Sequence, residues 1–170
     1  MENYYQGITK YPAHLSVGAV LLNDKQEVCT LHFTTISLPQ YAHLTDFYIL
    51  MRETIELGET LEQALARGLK EEFGAEGAIE AYLGSRKTVF EKNGSAVEKT
   101  TLFFLVQCTT FDPKRSQRDD VESEAKIVWV PLSDLKIKQR DQYQRTHEED
   151  INELEMVERT ERYLQMQKTH

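Results

Sequence analysis

The 170-residue chain carries only two cysteines, four prolines, eight glycines and one tryptophan. Cys29 and Cys108 each sit inside a strand-like run. Two such thiols cannot build a disulfide scaffold, and they read as buried free thiols of a cytoplasmic protein. The stretch from Met1 to Lys10 is polar and has no apolar run, so no secretory signal is read there. Asn93-Gly94-Ser95 accordingly reads as a turn and not as a glycosylation site. The longest apolar runs, Val17–Leu22 and Leu102–Val106, fall far short of the roughly 20 residues that span a bilayer. Positive charge is scarce too: 20 Lys and Arg stand against 28 Asp and Glu, a net charge of −8. That excludes a general nucleic-acid binder, which needs a basic face to displace counterions from phosphates. It does not exclude an acidic substrate, because clustered carboxylates can hold a divalent metal that in turn binds phosphate. His14, His32, His43, His147 and His170 have no metal-binding spacing, and no serine-hydrolase elbow, P-loop or dinucleotide glycine pattern is present.

What is present is one domain's worth of alternating patterns, 40% hydrophobic, with no repeat or linker. Strands are expected at His14–Leu22 and Glu27–Ile36, joined as a hairpin through Asn23-Asp24-Lys25, and at Asp46–Met51. Leu61, Leu65, Leu69 and Phe73 then recur at helical spacing. Thr60 with Gln63 forms a capping-box signature at the start of that helix, and Gly74 stands where it would stop. Ile79–Glu91 and Val97–Phe111 read as a second hairpin turning at Asn93-Gly94. A charged loop, Asp112–Glu124, leads to a short strand, Lys126–Val130, that Pro131 ends. From Ile137 the chain favours helix, with a thin apolar stripe of Ile151, Leu154, Val157 and Leu164. The stripe reads first as packing on the domain and second as a homodimer contact. The order, a mixed sheet with a central helix and a terminal helix, places the fold in the α+β or α/β class.

One residue of the central helix breaks its pattern. Glu72 falls on the apolar face, between Leu61 and Leu65 in angle, with Gly68 and Glu71 at the edge of that face. A carboxylate aimed at a core costs several kcal/mol unless it is paired or bound to metal. Either a basic residue across the sheet meets it, or a cation does. Glu56, Glu59, Glu62, Glu71 and Glu72 crowd this stretch against only Arg67 and Lys70. Hard cations such as Mg2+ take oxygen ligands of this kind.

These residues carry a resemblance. The stretch Glu53–Ala75 resembles the Nudix box, G-x5-E-x7-R-E-U-x-E-E-x-G-U with U aliphatic. Glu59, Arg67, Leu69, Glu71, Glu72 and Gly74 match in register, Ala75 is a small version of the last position, and Gly58-Glu59-Thr60 reproduces a common G-E-T. Tyr48–Met51 is similar to the strand that enters the box, and Trp129-Val130-Pro131-Leu132 to the strand and turn that often close such domains. The resemblance covers about 14–136, leaves 137–170 as a C-terminal helical extension, and implies an α+β fold, an α/β/α sandwich in which a mixed sheet carries a central box helix and a C-terminal helix. It implies hydrolysis of a phosphoanhydride in a nucleoside diphosphate-type substrate, with Mg2+ or Mn2+. By resemblance, Glu71 and Glu72 are the metal-binding pair, Arg67 orients them, and Glu59 is a supporting acid, hydrogen-bonded or in the outer shell of the metal.

Two positions depart from the box. The Glu that normally follows the Arg is Gly68, and the Gly that opens the box is Glu53, preceded by Arg52. Glycine inside a helix costs roughly 1 kcal/mol against alanine, so Gly68 either makes room for something or marks a lapsed site. Glu53 is one candidate to supply the missing acid. Asp119, Asp120, Glu122 and Glu124 in the charged loop are others, with Glu122 and Glu124 preferred. Lys114, Arg115 and Arg118 are candidates for substrate phosphates, and Tyr48, Phe90 and Tyr82 for a stacked base. Two functions stay open: a small-molecule phosphoanhydride hydrolase, and a catalytically degraded domain that binds a nucleotide-like ligand or a protein.

Overall fold

The computed structural model describes residues 6–8, 11–37, 41–92, 94–118 and 122–169. Its organising element is β2 (Tyr11–Leu22), rich in residues that suit a buried strand. Along one edge β2 meets three antiparallel partners in turn. These are β1 (Gln6–Ile8), then β5 (Met51–Thr54) with Val17 opposite Glu53, then β3 (Glu27–Phe33) with Leu21 opposite Cys29. Along its other edge β2 runs parallel to β7 (Ser95–Phe111), which pairs antiparallel with β6 (Ala75–Lys92). β4 (Phe47–Ile49) and β8 (Lys126–Pro131) both pair with β3. The hairpin expected between the first two long strands is therefore real but short; beyond the turn β3 leaves β2 for other partners.

The sheet is covered on both faces, as an α/β/α sandwich requires. On one face Val17, Ala19, Leu21, Met51 and Val106 pack with Ala64, Leu65, Leu69 and Phe73 of the central helix. On the other, Val20, Leu50, Phe103 and Leu105 pack with Leu132, Leu135, Met156 and Val157. These last four belong to α2 (Leu132–Thr146) and α3 (Leu154–Gln167). Where one C-terminal helix was expected there are two, separated at His147, whose left-handed φ of 54° ends α2. α2 also begins directly after β8 and not at Ile137. In the expected apolar stripe, Val157 and Ile151 are buried against this chain's own core.

The expected strand Asp46–Met51 is two strands broken at Leu50. At the break the backbone is bonded by side chains from the far end of the chain. The Tyr48 amide donates to the Gln142 side chain at 2.7 Å, and both Gln139 and Gln142 donate to the Tyr48 carbonyl. The Leu50 amide donates to the buried Glu153 carboxylate at 2.6 Å. These bonds meet the requirement that buried backbone groups find partners and let β5 swing across to β2.

The central helix forms as the sequence predicts and then changes pitch. Thr60 accepts from the Gln63 amide and the Gln63 side chain accepts from the Thr60 amide, a complete capping box for α1 (Leu61–Gly68). Leu69–Phe73 widens into a π-helical turn, ended by Gly74 at φ 62°. A Cβ on Gly74 would also fall 2.0 Å from the Asp112 carbonyl oxygen, so glycine is required twice over. Leu65, Leu69 and Phe73 are buried, worth about 1.5–3 kcal/mol each by area, and this anchors the wider turn.

Candidate active site

Arg67 is the hub at which the acids meet. Its Nε and Nη2 donate to both oxygens of Glu59, at 2.8 and 3.0 Å. Nη2 also donates to the Thr54 carbonyl at 2.8 Å. Nη1 lies 3.1 Å from Glu53 and 3.3 Å from Glu71. Helix spacing explains the Glu71 contact, one turn ahead of Arg67; the other two carboxylates come from β5 and from the loop before α1. Three carboxylates on one guanidinium leave an excess of two negative charges.

The environments separate two of these acids. The hydrogen bonds from Arg67 hold the Glu59 carboxyl below the usual range. Burial pushes the Glu53 carboxyl up, against the pull of Arg67. Arg67 itself is held firmly protonated, chiefly by its bonds to Glu59.

Gly68 lies beside Glu53. A Cβ on Gly68 would fall 2.6 Å from the Glu53 Cβ, 2.8 Å from the Met51 sulfur and 3.2 Å from the Glu53 Cγ. A side chain there would require Glu53 or Met51 to move. The helix gives up its acid where the neighbouring strand gains one.

Of the expected residues, the structure brings together Arg67, Glu53, Glu59 and Glu71. Glu72 follows on the inner side of the π-turn, 5% exposed. Its backbone, with that of Glu71, is held by the loop after β7: Ser116 Oγ donates to the Glu72 carbonyl at 3.0 Å, and the Gln117 amide to the Glu71 carbonyl at 2.7 Å. Carbonyls at a helix end need such outside partners. Glu124 is not brought to this group. Its carboxylate accepts from the Ser37 amide at 2.9 Å and from the Ser37 hydroxyl. Asp119, Asp120 and the Glu122 side chain lie outside the described residues. Arg118 is used structurally, donating to the Ala125 carbonyl at 2.7 Å. Tyr48 is stacked on His32 with the Lys138 ammonium over its ring, and Phe90 meets the His14 ring. Tyr82 is largely exposed. Cys108 is half-buried, where both thiols were expected inside.

Among the described residues no three acidic, histidine or cysteine side chains stand ready as a cation cage. The donor set nevertheless fits a hard divalent ion. The donors available are carboxylate oxygens, their excess charge equals that of one dication, and Glu71 opens onto a cavity of about 410 Å³. Ala66, Arg67, Lys70, Glu76 and Gln117 complete that cavity's lining. Sequence reasoning counted Lys70 only as a counter-charge to the acids and passed over Gln117. Lys70 sits at the variable position of the box, and Gln117 was hidden in a charged loop.

Among the described residues no helix is long and apolar enough to cross a membrane. A search of solved structures finds a NUDIX hydrolase from Nitrosomonas europaea, 20% identical with TM-score 0.62, covering 86% of this chain and 87% of that one. It also finds the NUDIX domain of Shewanella oneidensis NrtR, solved with ADP-ribose, 19% identical with TM-score 0.58, covering 88% and 87%. At these identities the likeness is one of fold. Among curated proteins, a Mycobacterium tuberculosis protein named as mutator protein MutT4 is 37% identical over 81 residues. The match covers 48% of this chain and 31% of the relative, so the chain spans about a third of that relative's length. The model of the NUDIX domain matches residues 12–151, the stretch that holds most of the sheet, the central helix and the three acids paired with Arg67. The chain belongs to the NUDIX family, whose members are generally hydrolases that use divalent metals such as Mg2+.

Proposed function

We propose that this chain is a divalent-metal-dependent hydrolase that cleaves a phosphoanhydride bond in a small nucleoside diphosphate-type substrate in the cytoplasm. The observation that carries the reading is the exchange between Glu53 and Gly68. The helix position where the box has an acid is filled from the strand, and the carboxylate that fills it bonds to the same Arg67 as Glu59 and Glu71. A site that had simply lapsed has no reason to keep an acid beside the glycine.

Glu71, Glu72 and Glu53 would hold the cation, with Glu59 supporting from behind Arg67. When bound, the ion screens the phosphate charge and lowers the pKa of a coordinated water. Glu53 takes a proton from the attacking water, in keeping with a carboxyl that is partly buried beside the glycine. Arg67 fixes the direction of the Glu59, Glu53 and Glu71 carboxylates, so the reacting groups need little reorganisation. Glu71 presents its free side to the cavity. The ADP-ribose bound by the NrtR domain belongs to the substrate class proposed.

A panel of nucleoside diphosphate derivatives with Mg2+ or Mn2+ tests the reading. Metal-dependent release of a monophosphate, abolished by Glu72→Gln, is the expected result. Thermal stabilisation by these ligands without any release would replace it with a binding module.

A further inference from the structure

We propose that Lys70 and Gln117 form a phosphate subsite on the outer face of the box helix, which favours substrates ending in a free terminal phosphate. The inference rests on the metal-dependent reading of Glu71. Both residues are exposed and line the 410 Å³ cavity onto which Glu71 opens. Among the described residues Lys70 makes no ion pair, and the side-chain amide of Gln117 makes no hydrogen bond. Gln117 is nevertheless held in place, because its main-chain amide donates to the Glu71 carbonyl at 2.7 Å.

Charge decides what can enter. Arg67 is taken up by three carboxylates, so Lys70 is the uncommitted cation of the lining. A dication at Glu71 and an ammonium lining the same cavity repel each other unless an anion lies between them. A phosphate does this with separate oxygens, one toward the cation and another accepting from Lys70 and Gln117. The remaining acid, Glu76, stands on the β6 side of the cavity, which keeps the anion on the side of the lysine and glutamine. A terminal phosphate carries about two charges at neutral pH, where one esterified on both sides carries one. The uncapped chain gains more from Lys70. In hydrolysis the water oxygen bonds to one phosphorus, and the bond from that phosphorus to the bridging oxygen breaks. The electron pair leaves on the departing phosphate, the water proton passes to a carboxylate, and Lys70 with Gln117 receives the departing group.

Binding of inorganic tripolyphosphate in Mg2+ tests this by calorimetry, apart from turnover. Lys70→Gln is expected to weaken binding about 10-fold or more, the loss of a charge-assisted hydrogen bond. Lys25→Gln, in a separate cavity with Leu132 and Lys168, leaves it unchanged. In kinetics Lys70→Gln raises KM for a nucleoside triphosphate and leaves KM for a nucleoside diphosphate sugar unaltered. Equal tripolyphosphate affinity of Lys70→Gln and the parent, or no binding by the parent, overturns the subsite. Equal KM losses on both substrates overturn its selectivity. Binding without turnover of any substrate leaves the subsite standing and removes the hydrolase reading.

Discussion

A Cβ on Gly68 would stand only 2.6 Å from the Cβ of Glu53. The two positions cannot both carry a side chain unless the strand or the helix shifts, so the glutamate of the strand and the glycine of the helix are one structural choice. Glycine at 68 is costly to the helix, but it keeps Glu53 within 3.1 Å of Arg67.

Arg67 pairs with three carboxylates at once. Arg67→Lys keeps the charge and loses the fork that bonds both Glu59 oxygens. Stability should fall by about 1–3 kcal/mol, since the carboxylates are left poorly paired, and kcat should fall by at least 10-fold. A denaturant midpoint and a kcat within error of the parent would contradict this.

Ser116 is tied to the π-turn by a single bond to the Glu72 carbonyl. Ser116→Ala should cost about 0.5–1.5 kcal/mol and speed hydrogen exchange at the Gln117 amide, which bonds to the neighbouring Glu71 carbonyl. Exchange at Gln117 that stays as slow as in the parent would show that the loop is held by other contacts.

On the opposite face Arg52 lies beside Lys99, and Asp150 and Glu153 face them. The Arg52 charge and burial pull the Lys99 ammonium down to about 8. Between about pH 8 and the ordinary lysine value near 10.4 the unfolded chain binds more protons at this residue, so its contribution to stability rises with pH. Lys99→Gln should therefore be more stable than the parent at pH 7, and the advantage should shrink above pH 8. Paired melts from pH 6 to 10 decide it; a variant less stable at pH 7 contradicts the sign.

The sequence made the helix legible from both ends, because Thr60 with Gln63 and Gly74 act within a turn of themselves. The second hairpin was legible for the same reason, with Gly94 at φ 75° in its turn. The break at Leu50 was not, since the groups that bond Tyr48 and Leu50 there lie 91 to 103 residues further on. The division into α2 and α3 escaped likewise, because a histidine marks the left-handed turn that ends α2 far more weakly than a glycine would. In the site, the box spacing gave Arg67, Glu59, Glu71 and Glu72, and the paired departures at 53 and 68 hinted at an exchange. That Arg67 joins Glu53, Glu59 and Glu71 needed the strand and the loop folded against the helix.

The central claim is that Glu53 replaces the acid the helix lacks. Steady-state hydrolysis in Mg2+ should be compared for the parent, Glu53→Gly, Gly68→Glu and the double variant that moves the glutamate back to the helix. Each single variant should lose about 10²–10⁴ in kcat, as expected for loss or misplacement of a general base, and the double variant should regain most of it. If Glu53→Gly retains the parent's kcat, or the double variant is no better than the weaker single, Glu53 is not that acid.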